Sequence, residues 1–454
     1  MKKKSSKILF FVFIFGFLLR LGLMFLDFSW DVNNHISWVQ DLWRHGPAGF
    51  YETRSGEVFA TPYPNYPPIS IIFFSIFYPI QSFLFKIVWW LNTSIPAFPS
   101  KIVLFVESRG FLAGMLKWPA IFADLGLAYL VYRFAQKLKA KNPLIFPALI
   151  LFNPAFFYNS ALWGQIDVIP IFLVLASVYL FLYGEKYLPP HQLYILFQRA
   201  TRSMHNWCGG VLSAVLFLLS ILVKPTTLVW LPIYSAFFIK KFGLKKSLQT
   251  LVVSLIIFWL VFLPFLTPTS KSLVWGPVTT FADKILTKQS LPFVTNGAFN
   301  FWVLITHFKG IKDTAPFLFG ISYQMWGIIL TGVTYLYLIF RFLKIKITAQ
   351  SVFYSFFLTY LVSFLFLTKM HERYTMLPLV FILLASIKER RLSKWFWILS
   401  ILSFLNLYHS WPVPMIAWFH NFLKLSAVHY TLAALNLFVF FYLLSGVLSR
   451  RYRE

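Results

Sequence analysis

The chain has 454 residues, of which 59% are hydrophobic and only 12% are charged. About a quarter of the residues of a soluble domain are charged, so this composition excludes a soluble protein. The net charge of +27 does not indicate a nucleic-acid partner, because the Lys and Arg residues form short clusters between long apolar runs, as they do at the ends of membrane helices. The single cysteine, Cys208, excludes an intrachain disulfide and a thiolate metal centre.

The apolar runs, taken in chain order, predict an all-α polytopic membrane protein. The first run follows a basic amino terminus and has no small-residue cleavage site after it, which favours a retained helix over a signal peptide. About twelve transmembrane helices are predicted in a single domain of residues 1–454, at 7–26, 115–135, 143–158, 166–183, 207–223, 225–240, 248–268, 318–341, 350–368, 374–387, 394–409 and 428–449. One further run, residues 69–87, is interpreted as an interfacial or re-entrant helix within a long first extracytoplasmic loop, residues 27–114.

The distribution of charge predicts which helix ends face the cytoplasm. Cytoplasmic loops are enriched in Lys and Arg, and this arrangement of helices gathers the basic clusters on one side. The clusters are Lys2/Lys3/Lys4/Lys7, Arg133/Lys137/Lys139/Lys141, Lys186/Arg199/Arg202, Lys240/Lys241/Lys245/Lys246, Arg341/Lys344/Lys346, Lys388/Arg390/Arg391/Lys394 and Arg450/Arg451/Arg453. Only three acids, Glu185, Glu389 and Glu454, share that side. We therefore predict that both termini are cytoplasmic and that residues 69–87 do not cross, since a crossing would move every later cluster outside.

Asp31 is the first acidic residue on the predicted outer face that suggests chemistry. It lies within a turn or two of the end of the first helix, at the boundary between water and lipid. A carboxylate at such a position can cap a helix or reach out of the membrane. It can also act as a general base held at the membrane surface, which is the interpretation that we favour.

Two further polar groups lie at predicted outer helix ends. Asn65 and Tyr66 precede a double proline, which is typical of a structural turn at the start of a helix, and they are also candidate contacts for a sugar or an acceptor. Trp163 alone would be an interfacial anchor, but Gln165 and Asp167 follow it closely and favour a binding site for a sugar or an acceptor.

A charged segment joins two apolar helices near residue 370. Lys369, His371, Glu372 and Arg373 place four ionisable groups within five residues, either as a cluster that reaches out of the membrane or as an anion site, because Lys, His and Arg together suit a phosphate. Glu372 and three further charged residues, Arg20, Asp124 and Lys224, could contribute to a site or stabilise the helix bundle. Arg20 and Asp124 could simply pair with each other.

This set of residues suits group transfer better than hydrolysis. A glycosidase needs two carboxylates, one of which protonates the leaving group. A transferase that uses a sugar phosphate needs one base for the acceptor hydroxyl and cations for the departing phosphate. The sequence has no D-x-D or H-x-x-x-H pattern and no closely spaced pair of carboxylates, so we expect neither a metal nor another cofactor, although Asp31 and Asp167 leave a shared Mg²⁺ or Mn²⁺ open.

The order of these motifs resembles the GT-C superfamily of polyprenyl-phosphate-sugar-dependent glycosyltransferases, and in particular bacterial proteins related to the second GPI-anchor mannosyltransferase. The motifs are Asp31 with Trp38, Gly46 with Phe50-Tyr51, Tyr66-Pro67-Pro68, Lys117-Trp118-Pro119 through Asp124, Trp163-Gly164-Gln165 with Asp167, Lys224-Pro225, Asn296-Gly297-Ala298-Phe299-Asn300-Phe301-Trp302, and His371-Glu372-Arg373-Tyr374. Ser108-Arg109-Gly110 is also similar to the glucosyltransferases of the lipid-linked oligosaccharide pathway, but Asn33 and Asn65 stand where those proteins have acids.

The resemblance implies an inverting hexosyltransferase of the cell membrane with its active site on the extracytoplasmic face. Asp31 would be the base, Lys369, His371 and Arg373 would bind the donor phosphate, and the donor would be a polyprenyl phosphate that carries mannose or a similar hexose. The acceptor could be a glycolipid, a polymer or a protein. Two other functions are compatible with a helix bundle: a transporter or flippase of lipid-linked sugars, which would usually have internal repeats that this sequence lacks, and a non-catalytic scaffold.

Overall fold

The computed structural model describes residues 2–56, 63–184, 198–287 and 291–448. It is 76% helical with almost no strands, so the all-α prediction is confirmed. Several charged residues used above to orient the chain lie outside the described residues: Glu185, Lys186, Arg450, Arg451, Arg453 and Glu454.

The described residues form twenty α-helices, extended in places by short 3-10 or π-helical segments. They are α1 (Lys2–Leu23), α2 (Trp30–His45), α3 (Pro68–Ser94), α4 (Ser100–Glu107), α5 (Arg109–Leu116), α6 (Trp118–Lys137), α7 (Ile145–Leu151), α8 (Pro154–Phe157), α9 (Val168–Tyr183), α10 (Gln198–Val223), α11 (Leu231–Phe242), α12 (Leu244–Phe262), α13 (Ser270–Thr279), α14 (Val303–Thr306), α15 (Tyr323–Leu343), α16 (Ala349–Phe366), α17 (Leu379–Ala385), α18 (Ser393–Ser410), α19 (Ala417–Leu423) and α20 (Ser426–Leu448). Two short strands, β1 (Thr295–Asn296) and β2 (Met370–His371), pair in parallel.

Six stretches of the described chain are helical, long and apolar enough to cross a membrane: Pro68–Ser94, Arg109–Lys137, Leu244–Phe265, Tyr323–Leu343, Ala349–Phe366 and Ser426–Gly446. A seventh is added if Ile145–Leu151 and Pro154–Trp163, which are bent by 41° relative to each other, form one broken span. A helix is present at each of the twelve predicted positions, but several are short, such as α17. The number twelve therefore stays a prediction.

Residues 69–87, predicted to be interfacial, belong to α3, which has the length and hydropathy of a spanning helix. The following helices run back along it: the Gln81 amide donates to the Val106 carbonyl at 2.8 Å. This hairpin returns the chain to Lys117, whose Nζ donates to the Met24 carbonyl at 2.8 Å. The end of α1 and the start of α6 therefore lie at the same end of the bundle, whatever depth α3 reaches in a membrane.

The interior of the bundle is apolar, and its polar side chains bond to nearby backbone. Helix α16 is buried along its length from Ser351, and the hydroxyls of Ser355, Thr359 and Ser363 donate to carbonyls one turn earlier at 2.8–2.9 Å. Such bonds satisfy polar groups that would otherwise cost free energy in a dry interior. The helix can therefore be buried on every side.

The two deeper charged residues, Arg20 and Asp124, pair with each other. The Arg20 Nε donates to Asp124 Oδ2 at 2.6 Å, and both side chains are fully buried. Asp124 also accepts from the Ser160 hydroxyl at 2.5 Å, while Arg20 donates to the carbonyls of Gly16 and Leu151. This pair links α1, α6 and α7 inside the bundle and takes no part in the charged cluster around Arg373 that is described next.

Candidate functional site

Asp31 is held in the first turn of α2. Ser29 caps this helix, because its Oγ accepts from the Val32 amide at 3.4 Å. The Ser29 amide in turn donates to the Trp163 carbonyl at 3.0 Å, which ties the start of α2 to a second segment of the chain. A carboxylate in the first turn of a helix is stabilised by the positive end of the helix dipole.

The second segment brings an amide group to that carboxylate. A π-helical turn, Tyr158–Trp163, ends at Gly164, which has a φ of +79°. A Cβ atom at Gly164 would lie 2.5 Å from Cγ2 of Val32, so this turn requires glycine. The chain then places Gln165 so that its Nε2 donates to Asp31 Oδ2 at 2.6 Å.

Asp167 forms a buried ion pair on the same segment. Its Oδ1 lies 2.6 Å from Nζ of Lys224, which follows α10 directly. The Lys224 ammonium also lies over the rings of Tyr66 and Tyr374, at 5.5 and 5.8 Å from their centroids. Burial lowers the pKa of Lys224, and the Asp167 carboxylate opposes this decrease.

Arg373 connects these groups. Strand β2 is followed by a 3-10 helix, Glu372–Met376, which directs the Arg373 guanidinium toward three carboxylates. Its NH1 donates to Glu372 Oε1 at 2.8 Å, its NH2 lies 3.3 Å from Asp31 Oδ2, and its Nε lies 3.4 Å from Asp167 Oδ2. The guanidinium carbon is also 5.7 Å from the Trp163 ring centroid, within the range of a cation–π contact.

The three carboxylates around Arg373 differ in accessibility. The Asp31 side chain is 36% exposed, whereas Asp167 is fully buried and Glu372 is 7% exposed. A substrate could therefore reach Asp31, while Asp167 and Glu372 balance the buried cations. A buried cation without such partners would carry a large desolvation cost.

The charges of the cluster lower the pKa values of two of its acids, Asp31 and Glu372. Burial alone would raise the pKa of Asp31, but the nearby Arg373 and His35, the hydrogen bond from Gln165 and the charge of Lys224 lower it to about 2. Burial would also raise the pKa of Glu372, but the adjacent Arg373 holds it below its usual value. Three carboxylates thus face two cations, Arg373 and Lys224. Each nitrogen of the Arg373 guanidinium faces a carboxylate.

The structure brings together many of the residues selected from the sequence: Asp31, Tyr66, Trp163, Gln165, Asp167, Lys224, Glu372 and Arg373. Trp163 is 6% exposed, so it is not an exposed interfacial anchor. His371 also lies close, with its Nδ1 3.5 Å from Arg373 NH1. Asn65 is buried beside Tyr66 in the chain.

Lys369 does not belong to this cluster. Its Nζ lies 3.4 Å from Asp313 Oδ2, and its backbone amide donates to the Val294 carbonyl at 3.2 Å. The predicted set of Lys369, His371 and Arg373 is therefore divided, because the backbone at Lys369 is left-handed (φ 62°) and its side chain contacts a different loop.

Sequence reasoning assigned no role to two residues beside the cluster, Lys117 and Trp411. The buried Lys117 Nζ donates to four carbonyls, those of Met24, Asp27, Ala161 and Leu162. Trp411 stacks parallel to Trp163, and its indole nitrogen donates to the Asp27 carboxylate at 3.1 Å. An isolated lysine inside an apolar run was a usable signal for Lys117, but the sequence carries none for Trp411.

Among the described residues, no group of three or more His, Cys, Asp or Glu side chains is arranged to hold a metal ion. A comparison of the chain with models of known protein families gives no match, and a comparison with curated proteins gives none either.

Proposed function

We propose that the protein is a GT-C-type membrane glycosyltransferase. It takes a hexose, with mannose as the expected sugar, from a polyprenyl phosphate and transfers it to an acceptor that is itself bound to the membrane. The observation that carries this proposal is the combination at Asp31: an accessible, ionised carboxylate fixed by Gln165 beside the buried guanidinium of Arg373. A base next to an anion-binding cation is what transfer from a sugar phosphate requires.

In the proposed reaction, Asp31 accepts the proton of the acceptor hydroxyl as its oxygen attacks the anomeric carbon of the sugar. The bond between this carbon and the phosphate oxygen breaks, and polyprenyl phosphate leaves with the electron pair. Attack from the side opposite to the phosphate inverts the anomeric centre. No second carboxylate has to donate a proton, because phosphate is a stable leaving group.

Arg373 would bind the departing phosphate after exchanging one of its partners. Of its contacts, the 3.3 Å separation from Asp31 involves the accessible carboxylate, whereas Asp167 and Glu372 are enclosed. A donor phosphate that displaces Asp31 from Arg373 would gain a charge-assisted contact. It would also release Asp31 from the charge that holds its pKa at about 2, which makes Asp31 a stronger base once the donor is bound.

The positions of the basic clusters support an extracytoplasmic site. Helix α11 begins a few residues after Lys224 and ends with Lys240 and Lys241. At that far end, Lys240 Nζ donates to the Leu343 carbonyl at 2.7 Å, so the ends of α11 and α15 lie together. By the positive-inside rule we place this end in the cytoplasm, together with both termini, and the cluster around Asp31 on the outer face of a bundle of about twelve spans.

The test is a transfer assay with purified protein in nanodiscs that contain radiolabelled polyprenyl-phosphate-mannose and a total-lipid extract as the acceptor. We expect the wild type to move label into a new glycolipid and Asp31→Asn to lose this activity by about a thousand-fold or more while keeping its melting temperature, since one positioned base contributes roughly 10²–10⁴. Asp283→Asn is the matched control, because Asp283 is an exposed aspartate outside the cluster.

Equal transfer by wild type and Asp31→Asn would remove Asp31 as the base. Movement of the donor across the bilayer of vesicles that contain the protein, without a new glycosidic bond, would favour the transporter. If neither occurs with mannose or glucose donors, and Asp31→Asn has no phenotype in cells, the protein is a scaffold.

A further inference from the structure

Trp411 forms a rigid aromatic surface beside the candidate site. Its ring is tilted by only 10° from that of Trp163, with centroids 6.2 Å apart. Trp163 is buried and also contacts Arg373, whereas Trp411 remains partly exposed. The Trp411 backbone is fixed as well, because its carbonyl accepts from the Tyr158 hydroxyl and its amide donates to Leu407 at 2.9 Å.

A carboxylate lies at the edge of this surface. Asp27 Oδ2 accepts from the Trp411 indole nitrogen at 3.1 Å, and Oδ1 accepts from the Phe28 amide at 2.7 Å. The negative face of an indole ring attracts the polarised C–H groups of a sugar, and a carboxylate at the ring edge can accept hydrogen bonds from its hydroxyls. The negative charge of Asp27 favours a neutral sugar over an anionic one.

The distances relate this surface to the reacting groups. Trp163 is 5.7 Å from the Arg373 guanidinium carbon and 6.2 Å from Trp411, so the Trp411 ring lies within about 12 Å of that carbon. Arg373 in turn contacts Asp31 at 3.3 Å, so a chain of contacts through Arg373 and Trp163 links this surface to the proposed base. The surface therefore suits a sugar other than the one that reacts at Asp31.

The chain that follows Trp411 has an apolar exposed surface. Helix α19 buries His420 and Leu423, while the opposite side and the flanking residues expose large apolar side chains: Met415 (62%), Ile416 (42%), Trp418 (74%), Phe422 (50%) and Leu425 (53%). A short helix with one apolar exposed side beside the outer end of a bundle is typical of a segment that lies in the membrane interface. It can hold the hydrocarbon chain of a lipid.

From these contacts we infer that Trp411 and Asp27 form an acceptor subsite for a neutral sugar in the headgroup of a glycolipid with at least two sugars, whose lipid chain lies along the exposed side of α19. This inference rests on the proposed function and specifies its acceptor. Asp31 would activate a hydroxyl of one sugar while the next sugar stacks on Trp411.

The experiment compares two synthetic acceptors that have the same alkyl chain and carry either one or two mannose units. With the two-sugar acceptor, we expect Trp411→Ala to raise KM about five- to ten-fold, which corresponds to the loss of one aromatic contact. The KM for the donor and for the one-sugar acceptor should stay within two-fold, and Trp411→Phe should restore most of the affinity. Trp397→Ala is the control, since Trp397 is 52% exposed near the start of α18, the helix that Trp411 directly follows.

Calorimetric titration of the alkyl dimannoside, without donor, gives a second measurement that does not depend on transfer. Binding by the wild type that weakens in Trp411→Ala, together with no transfer, would support the subsite and reject the proposed reaction. Transfer with an unchanged acceptor KM in Trp411→Ala would reject the subsite and leave the reaction in place. An equal rise in KM for both acceptors would also overturn the inference, because it would mean that Trp411 stabilises the whole site and does not bind the second sugar.

Discussion

Replacing Lys117 with Met tests whether the arrangement of the site depends on one buried cation. Lys117 is 1% exposed, and its Nζ donates to the carbonyls of Met24, Ala161 and Leu162 at 2.8–2.9 Å and to that of Asp27. These carbonyls end α1 and the π-helical turn before Gly164. The negative ends of two helical segments therefore meet at one ammonium group.

The magnitude of the effect follows from these four bonds. Each buried carbonyl left without a donor costs about 1 kcal/mol or more, and the relief of burying an ammonium group offsets part of the total. We expect a net loss of about 2–4 kcal/mol for Lys117→Met. We also expect transfer activity to fall by about a hundred-fold, because the segments that carry Asp31 and Gln165 are no longer held together.

The assay combines thermal unfolding in nanodiscs with the transfer measurement. Lys101→Met is the matched control, since Lys101 is an exposed lysine on α4; it should melt and react like the wild type. Lys117→Arg should recover only part of the loss, because a planar guanidinium does not match four acceptors grouped around one ammonium. If Lys117→Met melted and reacted like Lys101→Met, the reasoning that one cation joins the two segments would be refuted.

Two further predictions concern the groups around Asp31. Gln165→Leu should lower kcat about ten-fold and leave the donor KM unchanged, because it removes the 2.6 Å hydrogen bond that orients the base; an equal change in KM would make Gln165 a substrate contact instead. Arg373 lowers the pKa of Asp31, so the carboxylate of the free enzyme stays ionised until the pH falls to about 2. Arg373→Gln removes the strongest of the influences that lower this pKa, so the acid limb of kcat/KM should move to higher pH by about one unit. An acid limb at the wild-type position would show that the charge of Arg373 does not lower the pKa of Asp31.

The sequence by itself determined that the protein is an all-α bundle with helices of membrane-spanning character. Apolar runs of this length can satisfy their backbone groups in lipid only as helices, and helices appear where those runs were found. It also identified Asp31, Gln165, Asp167 and Arg373, since ionisable and amide groups at the ends of apolar helices are costly unless they bind or pair.

Only the tertiary structure decided which of these charged residues pair with one another. Arg373 pairs with Asp31 and Asp167, which are separated from it by more than two hundred residues, so no local pattern could reveal that a predicted phosphate ligand already has three carboxylate partners. Lys369 was assigned to the same set because it is near in sequence, yet a left-handed backbone directs it to Asp313.

Contacts between distant segments also explain why the sequence did not reveal the roles of Lys117 and Trp411. Their roles depend on where distant segments meet: the end of α1 with the turn before Gly164, and α18 with Trp163. Local hydrophobicity fixes which stretches become helices, because each helix satisfies its own backbone hydrogen bonds. Which helix ends meet, and therefore which charges neutralise each other and which carboxylate stays accessible, is fixed by packing between segments far apart in the chain.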